Sequence, residues 1–70
     1  MSQMIAITVN GESRAITEAA TVAVLLGTLG FNSRQVAVER NLEMVRRADY
    51  AATALMAGDA LEIVFVISSI

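Results

Sequence analysis

The hydrophobic pattern changes period several times along the chain, and each change marks an element. Residues 4–9, Met-Ile-Ala-Ile-Thr-Val, are rich in β-branched side chains and read as a strand. Asn10-Gly11 follows at once. It is the strongest short hairpin signal, because both central residues of a type I′ turn need positive φ. Residues 12–16 form the returning strand, whose weak alternation predicts partial exposure. At Thr21 the period lengthens: Val22, Leu25, Leu26 and Leu29 fall at i, i+3, i+4 and i+7, which predicts a helix over 21–29. Thr21 suits the N-cap, where its hydroxyl satisfies an orphan N–H. Gly30 suits the left-handed residue that ends a helix, with Phe31 as the following hydrophobic contact.

Alternation returns after the turn Asn32-Ser33-Arg34. Val36 and Val38 mark a third strand over 35–39, Asn41 a tight turn, and 42–45 a short fourth strand. Residues 49–56 are rich in Ala yet short, and read as a turn packed by Tyr50 and Leu55. Ala57-Gly58-Asp59 is a second turn. The last strand, 61–67, holds the run Ile63-Val64-Phe65-Val66-Ile67, the pattern of a central strand buried on both faces. This order predicts the α+β class: a ubiquitin-like β-grasp, a mixed sheet of four to five strands packed on one main helix. The most apolar strands, first and last, belong side by side at its centre. Residues 1–67 read as the domain and 68–70 as a C-terminal tail.

Composition narrows the chemistry. Hydrophobic residues make up 56% of the 70 residues and charged ones 17%; Cys, His, Pro and Trp are absent. No disulfide, ordinary zinc, haem or iron–sulfur site can be built, nor a Cys–His or Ser–His–Asp arrangement. No cofactor and no metal are expected. The net charge of −2 argues against nucleic-acid binding, which needs a basic surface. The uncharged run over 19–33 is shorter than the roughly 18 apolar residues of a membrane span and contains polar residues. The N-terminus lacks a basic stretch of the signal-peptide kind, so the cytoplasm is the expected location. So small a body leaves apolar residues on its surface, which favours a partner or a homo-oligomer.

Side chains that could carry a reaction are few. Glu39 and Glu43 flank a turn without an acid or base of another type, and read as solvated. Arg46-Arg47 reads as two loop charges, Tyr50 as a core or shelf residue. No catalytic set emerges, and the chain is not expected to be an enzyme. The helix is unusual in its non-core face: Ala20, Ala23, Val24, Gly27 and Thr28 carry no charge. A surface helix normally places charges there. This face is a candidate partner-contact or self-association surface.

The stretch Val36-Ala37-Val38-Glu39-Arg40-Asn41, then Glu43-Met44-Val45-Arg46-Arg47, Tyr50 and Ala57-Gly58-Asp59-Ala60-Leu61-Glu62-Ile63-Val64, resembles the sulfur carrier proteins of thiamine biosynthesis, the ThiS family. The Val-Asn-Gly hairpin and the Thr-Val-x-x-Leu-Leu helix agree, and the resemblance covers residues 4–67. It implies a carrier of sulfur on its own C-terminus. An ATP-dependent activating enzyme would adenylate the terminal carboxylate, persulfide sulfur would displace AMP, and thiazole synthase would consume the thiocarboxylate. The family ends in Gly-Gly; here Ser68 and Ser69 stand at those positions, followed by Ile70. Serine and a β-branched residue are wider and stiffer than glycine. A second reading therefore stands beside the first: a ubiquitin-like binding module that has lost carrier chemistry.

Overall fold

Residues 3–66 are described by the structure, a computed structural model. The hairpin forms as its turn chemistry requires, with Asn10 and Gly11 at φ of 51° and 83°. It joins β1 (Met4–Val9) to β2 (Glu12–Thr17) in antiparallel register, from Met4 opposite Thr17 to Val9 opposite Glu12. The helix α1 (Val22–Leu29) starts where the Thr21 hydroxyl accepts the Val24 N–H at 3.2 Å. It stops at Gly30, φ 81°: Gly30 N–H donates to the Gly27 carbonyl and Phe31 N–H to that of Leu26. Those two bonds form a Schellman ending that satisfies carbonyls the helix would leave orphaned.

Three further strands complete the sheet: β3 (Val36–Arg40), β4 (Glu43–Val45) and β5 (Ala60–Phe65). The order is β2-β1-β5-β3-β4, so the first and last strands meet at the centre. They run parallel, Thr8 beside Ala60 and Val9 beside Leu61. The Asn10 side chain lengthens this short pairing: its Nδ2 donates to the Ile63 carbonyl and its Oδ1 accepts the Ile63 N–H at 2.8 Å. β5 is antiparallel to β3, from Val36 opposite Phe65 to Arg40 opposite Leu61. A β-grasp mixed sheet of five strands on one helix is the architecture the element order implied.

The core lies between α1 and one face of the sheet. Val22, Leu25 and Leu26 of the helix pack with Ile7, Val36, Val38, Leu61 and Ile63 of the strands. Each fully buried aliphatic side chain contributes roughly 1.5–3 kcal/mol. The segment after β4 makes a single 3₁₀ turn, Arg47–Asp49, and buries Tyr50 and Leu55, as the sequence implied. Burial of β5 on both faces is not found. Leu61 and Ile63 are buried, but Val64 is 56% exposed and Phe65 and Val66 are exposed too. The physical reason is that α1 covers one face and no layer covers the other; an apolar run does not report how many layers surround it. Among the described residues no helix is long and apolar enough to cross a membrane.

Candidate functional site

The chain leaves the sheet from its central strand, beside the C-terminal end of α1. Phe65 lies edge-on to Phe31, the residue after the helix stop, with ring centroids 5.6 Å apart. Val66 N–H donates to the Gln35 carbonyl at 2.8 Å, so β5 stays tied to the start of β3 up to the last described residue. Ser68, Ser69 and Ile70, the candidate tail, lie outside the described residues.

The candidate helix face divides. Val24, Gly27 and Thr28 are exposed and Ala23 is half-buried against the core. Ala20 does not belong to that face: it precedes the Thr21 cap and is 8% exposed. Its carbonyl accepts the Leu55 N–H at 2.8 Å, which pins it beneath the loop before β5. Helical spacing carries the face one residue past Thr21, whose own backbone is already extended.

The structure distributes the other candidates rather than gathering them. In the β3–β4 register Glu39 faces Met44 and Arg40 faces Glu43. Glu39 and Glu43 therefore project to opposite sides of the sheet. Arg47 is committed to the backbone, its Nε donating to the Ser33 carbonyl and its Nη2 to that of Arg34, both at 3.1 Å. Arg46 lines a polar cleft of about 350 Å³ with Arg40, Glu43, Asp49 and Thr53, where charges of both signs alternate. Tyr50 is buried, its hydroxyl donating to the Val36 carbonyl at 3.3 Å. Among the described residues no group of three carboxylates is placed to hold a metal ion.

One functional-looking group escaped the sequence reading and proves structural. Asp59, read there as part of a turn, is 6% exposed. Its Oδ2 accepts from Arg40 Nε at 2.7 Å and from the Met56 N–H at 2.9 Å, and its Oδ1 from Asn41 Nδ2 at 3.0 Å. Burial alone would raise its pKa. The Met56 hydrogen bond, those of Arg40 and Asn41, and the Arg40 charge outweigh burial and hold the carboxyl below the ordinary 3.8. Asn41 also accepts the Ala60 N–H at 2.9 Å, so this knot anchors the start of β5 to the turn between β3 and β4. Only the chain reversal is legible locally, since the side-chain partners Asn41 and Arg40 lie 18 and 19 residues away.

Comparison with known proteins agrees with this geometry. Residues 7–68 match the ThiS family. A crystal structure of thiamine biosynthesis protein ThiS from Geobacter metallireducens superposes with a TM-score of 0.82 at 31% identity, covering 93% of this chain and 99% of that one. A solution structure of a thiamine biosynthesis protein from Geobacter metallireducens gives 0.76 at 31% identity, covering 93% and 87%. Two curated relatives are named thiazole synthase. The one from Paramagnetospirillum magneticum is 55% identical over 56 residues, 80% of this chain. The one from Magnetococcus marinus is 41% identical over 58 residues, 83% of this chain. The chain spans only 17% and 18% of the lengths of these two relatives.

Proposed function

The chain belongs to the ThiS family, and from that premise we propose that it is a sulfur carrier of thiamine biosynthesis rather than a catalyst. In this reading an ATP-dependent activating enzyme adenylates the carboxylate that follows the tail Ser68-Ser69-Ile70. A cysteine-derived persulfide then displaces AMP to form an acyl disulfide. A second thiol of the partner enzyme cleaves it and is itself oxidised to a disulfide, and the carrier presents the resulting thiocarboxylate to thiazole synthase. The chemistry needs activation because a free carboxylate is a poor electrophile and an acyl-adenylate has a good leaving group. It needs no catalytic side chain on the carrier, which suits a chain whose Arg47 and Tyr50 side chains are held by backbone carbonyls and whose Glu39 and Glu43 lie on opposite sides of the sheet. The cytoplasm, where ATP is available, is the location this reading requires.

The observation that carries the proposal is the family match across residues 7–68, joined to a fold whose last described strand is central in the sheet. The curated relatives named thiazole synthase support that enzyme as a partner, since they hold the matched region within one longer chain. A second reading is favoured by the tail itself. Ser68, Ser69 and Ile70 replace narrow glycines, so the chain would serve as a ubiquitin-like binding module acting through a surface such as Ala23, Val24, Gly27 and Thr28.

Intact-mass measurement separates the two. The chain is incubated with activating enzyme, ATP and a sulfur donor. A gain equal to the difference between sulfur and oxygen establishes the carrier. No gain for this chain, with a gain for a Ser68→Gly, Ser69→Gly variant lacking Ile70, establishes a competent body with an incompetent tail. No gain in either sinks the carrier reading.

A further inference from the structure

The three asparagines of the chain have unequal neighbours: Asn10 precedes Gly11, Asn32 precedes Ser33 and Asn41 precedes Leu42. An asparagine followed by glycine is the most prone to react with its own backbone, because no Cβ shields the next nitrogen from the side-chain carbonyl carbon. That nitrogen attacks Cγ, a five-membered imide closes, and the side-chain nitrogen leaves as ammonia. Water then opens the imide at one of its two carbonyls. The product is aspartate, or isoaspartate with the main chain running through the former side chain. One water enters and one ammonia leaves, with no change of oxidation state.

The fold holds Asn10 out of this reaction. Its backbone N–H donates to the Leu61 carbonyl at 2.8 Å. Its side chain supplies the next rung on β5, with Nδ2 3.2 Å from the Ile63 carbonyl oxygen and Oδ1 2.8 Å from the Ile63 nitrogen. Both polar atoms of the carboxamide are therefore committed to the neighbouring strand. The peptide to Gly11 is held as well, by the hairpin register that sets Val9 opposite Glu12. Ring closure requires the carboxamide and that peptide to rotate onto each other, and so to give up the Ile63 bonds. Asn10 is nevertheless exposed, so water reaches the imide once it forms. The other two asparagines differ. Asn32 Oδ1 accepts the nearby Arg34 N–H at 2.9 Å, a local bond that ties it to no other strand. Asn41 bonds Asp59 and Ala60, and the Leu42 side chain crowds its attacking nitrogen.

We propose that Asn10 is a deamidation site gated by the β1–β5 pairing, closed while the two strands are joined and open when they part. The modification is one-way. Aspartate puts a charged acceptor against the Ile63 carbonyl in place of a donor, so that bond cannot be remade. Isoaspartate also lengthens the main chain inside a two-residue turn, and the Val9–Glu12 register depends on that turn's length. Either product weakens the pairing that protected the residue, so a molecule that has reacted reopens more readily.

The test is peptide-mapping mass spectrometry of the full chain held at mildly alkaline pH, in buffer and along a guanidinium chloride series. The signal is a mass gain equal to the difference between a hydroxyl and an amino group, with isoaspartate read by enzymatic methylation. In full denaturant Asn10 should react fastest of the three asparagines. In buffer its rate should fall by about tenfold or more, because only opened molecules react, and along the series it should rise as the strands part. Asp59→Ala loosens the start of β5 without replacing a group that Asn10 bonds. It should raise the Asn10 rate in buffer by about tenfold or more and leave the denatured rate unchanged. Asn10→Asp should melt below wild type. Equal wild-type rates in buffer and denaturant overturn the proposal, whether or not Asp59→Ala folds. So does an unaltered rate in folded Asp59→Ala, or an Asn10→Asp chain that melts with wild type.

Discussion

Asp59→Ala removes the acceptor for the Met56 N–H, the Asn41 amide and the Arg40 guanidinium. The three losses are unequal. The Met56 N–H is left facing the site of a buried side chain, which costs about 1–2 kcal/mol for an unsatisfied donor. Asn41 is exposed and regains water, so its share is about 0.5 kcal/mol. The Arg40 side chain is 30% exposed and can also reach solvent, which limits its share to about 1 kcal/mol. The expected loss is about 3 kcal/mol. A domain of this size holds roughly 4–10 kcal/mol in total, so the variant should unfold at a much lower urea concentration. Far-UV circular dichroism is the natural probe, as the chain lacks Trp.

The pH dependence gives the same reasoning a second test. The folded pKa of Asp59 lies below the unfolded value near 3.8, so the unfolded state binds the proton more readily in that window. The wild-type advantage is therefore complete above the unfolded value and disappears as pH falls through the folded one. Wild type and Asp59→Ala should converge in stability at strongly acid pH. A difference below about 1 kcal/mol at neutral pH would refute the assignment of this carboxylate as the anchor of β5. So would a difference that stays constant into acid.

Other outcomes follow from single features. Leu42 occupies the second position of the β3–β4 turn at φ 71° and is 91% exposed. Leu42→Gly should raise stability by about 1 kcal/mol, and a lowered melting temperature would contradict the strain. Gly27 lies in α1 with no atom near its missing Cβ. Gly27→Ala should add about 0.5–1 kcal/mol, read by thermal melting; a loss would mean that the site is more crowded than its geometry. Tyr50→Phe deletes the buried hydroxyl bond to the Val36 carbonyl. Urea unfolding should show a cost of about 0.5–1.5 kcal/mol with an unchanged fold.

What could be read from the sequence was what neighbours in sequence decide. The Asn10-Gly11 turn, the Thr21 cap and the Gly30 stop depend on residues within a few positions, and each is found where expected. Pairing of the first and last strands was inferred from apolarity alone and is also found. What escaped depends on distant partners or on the number of layers. The uncovered face of β5 follows from the presence of a single helix, which a run of apolar letters does not encode. The role of Asp59 needs Arg40 and Asn41, and the hold of Asn10 on Ile63 needs the pairing of β1 with β5. Ala20 falls on the helix face by spacing but precedes the Thr21 cap, because helical spacing does not mark where the helix begins.

The parallel pairing of β1 with β5 also has a consequence for the order in which the molecule is built. Among the described strands β1 is made first, yet its central neighbour β5 is made last, and the Asn10–Ile63 bonds span 53 residues. Until then β1 has only the β2 hairpin beside it, and an isolated hairpin is at best marginally stable in water. Closing so long a loop is a late and comparatively slow event. The central pairing of the sheet can close only when β5 arrives, so the assembly of the two halves of the sheet becomes a single late step.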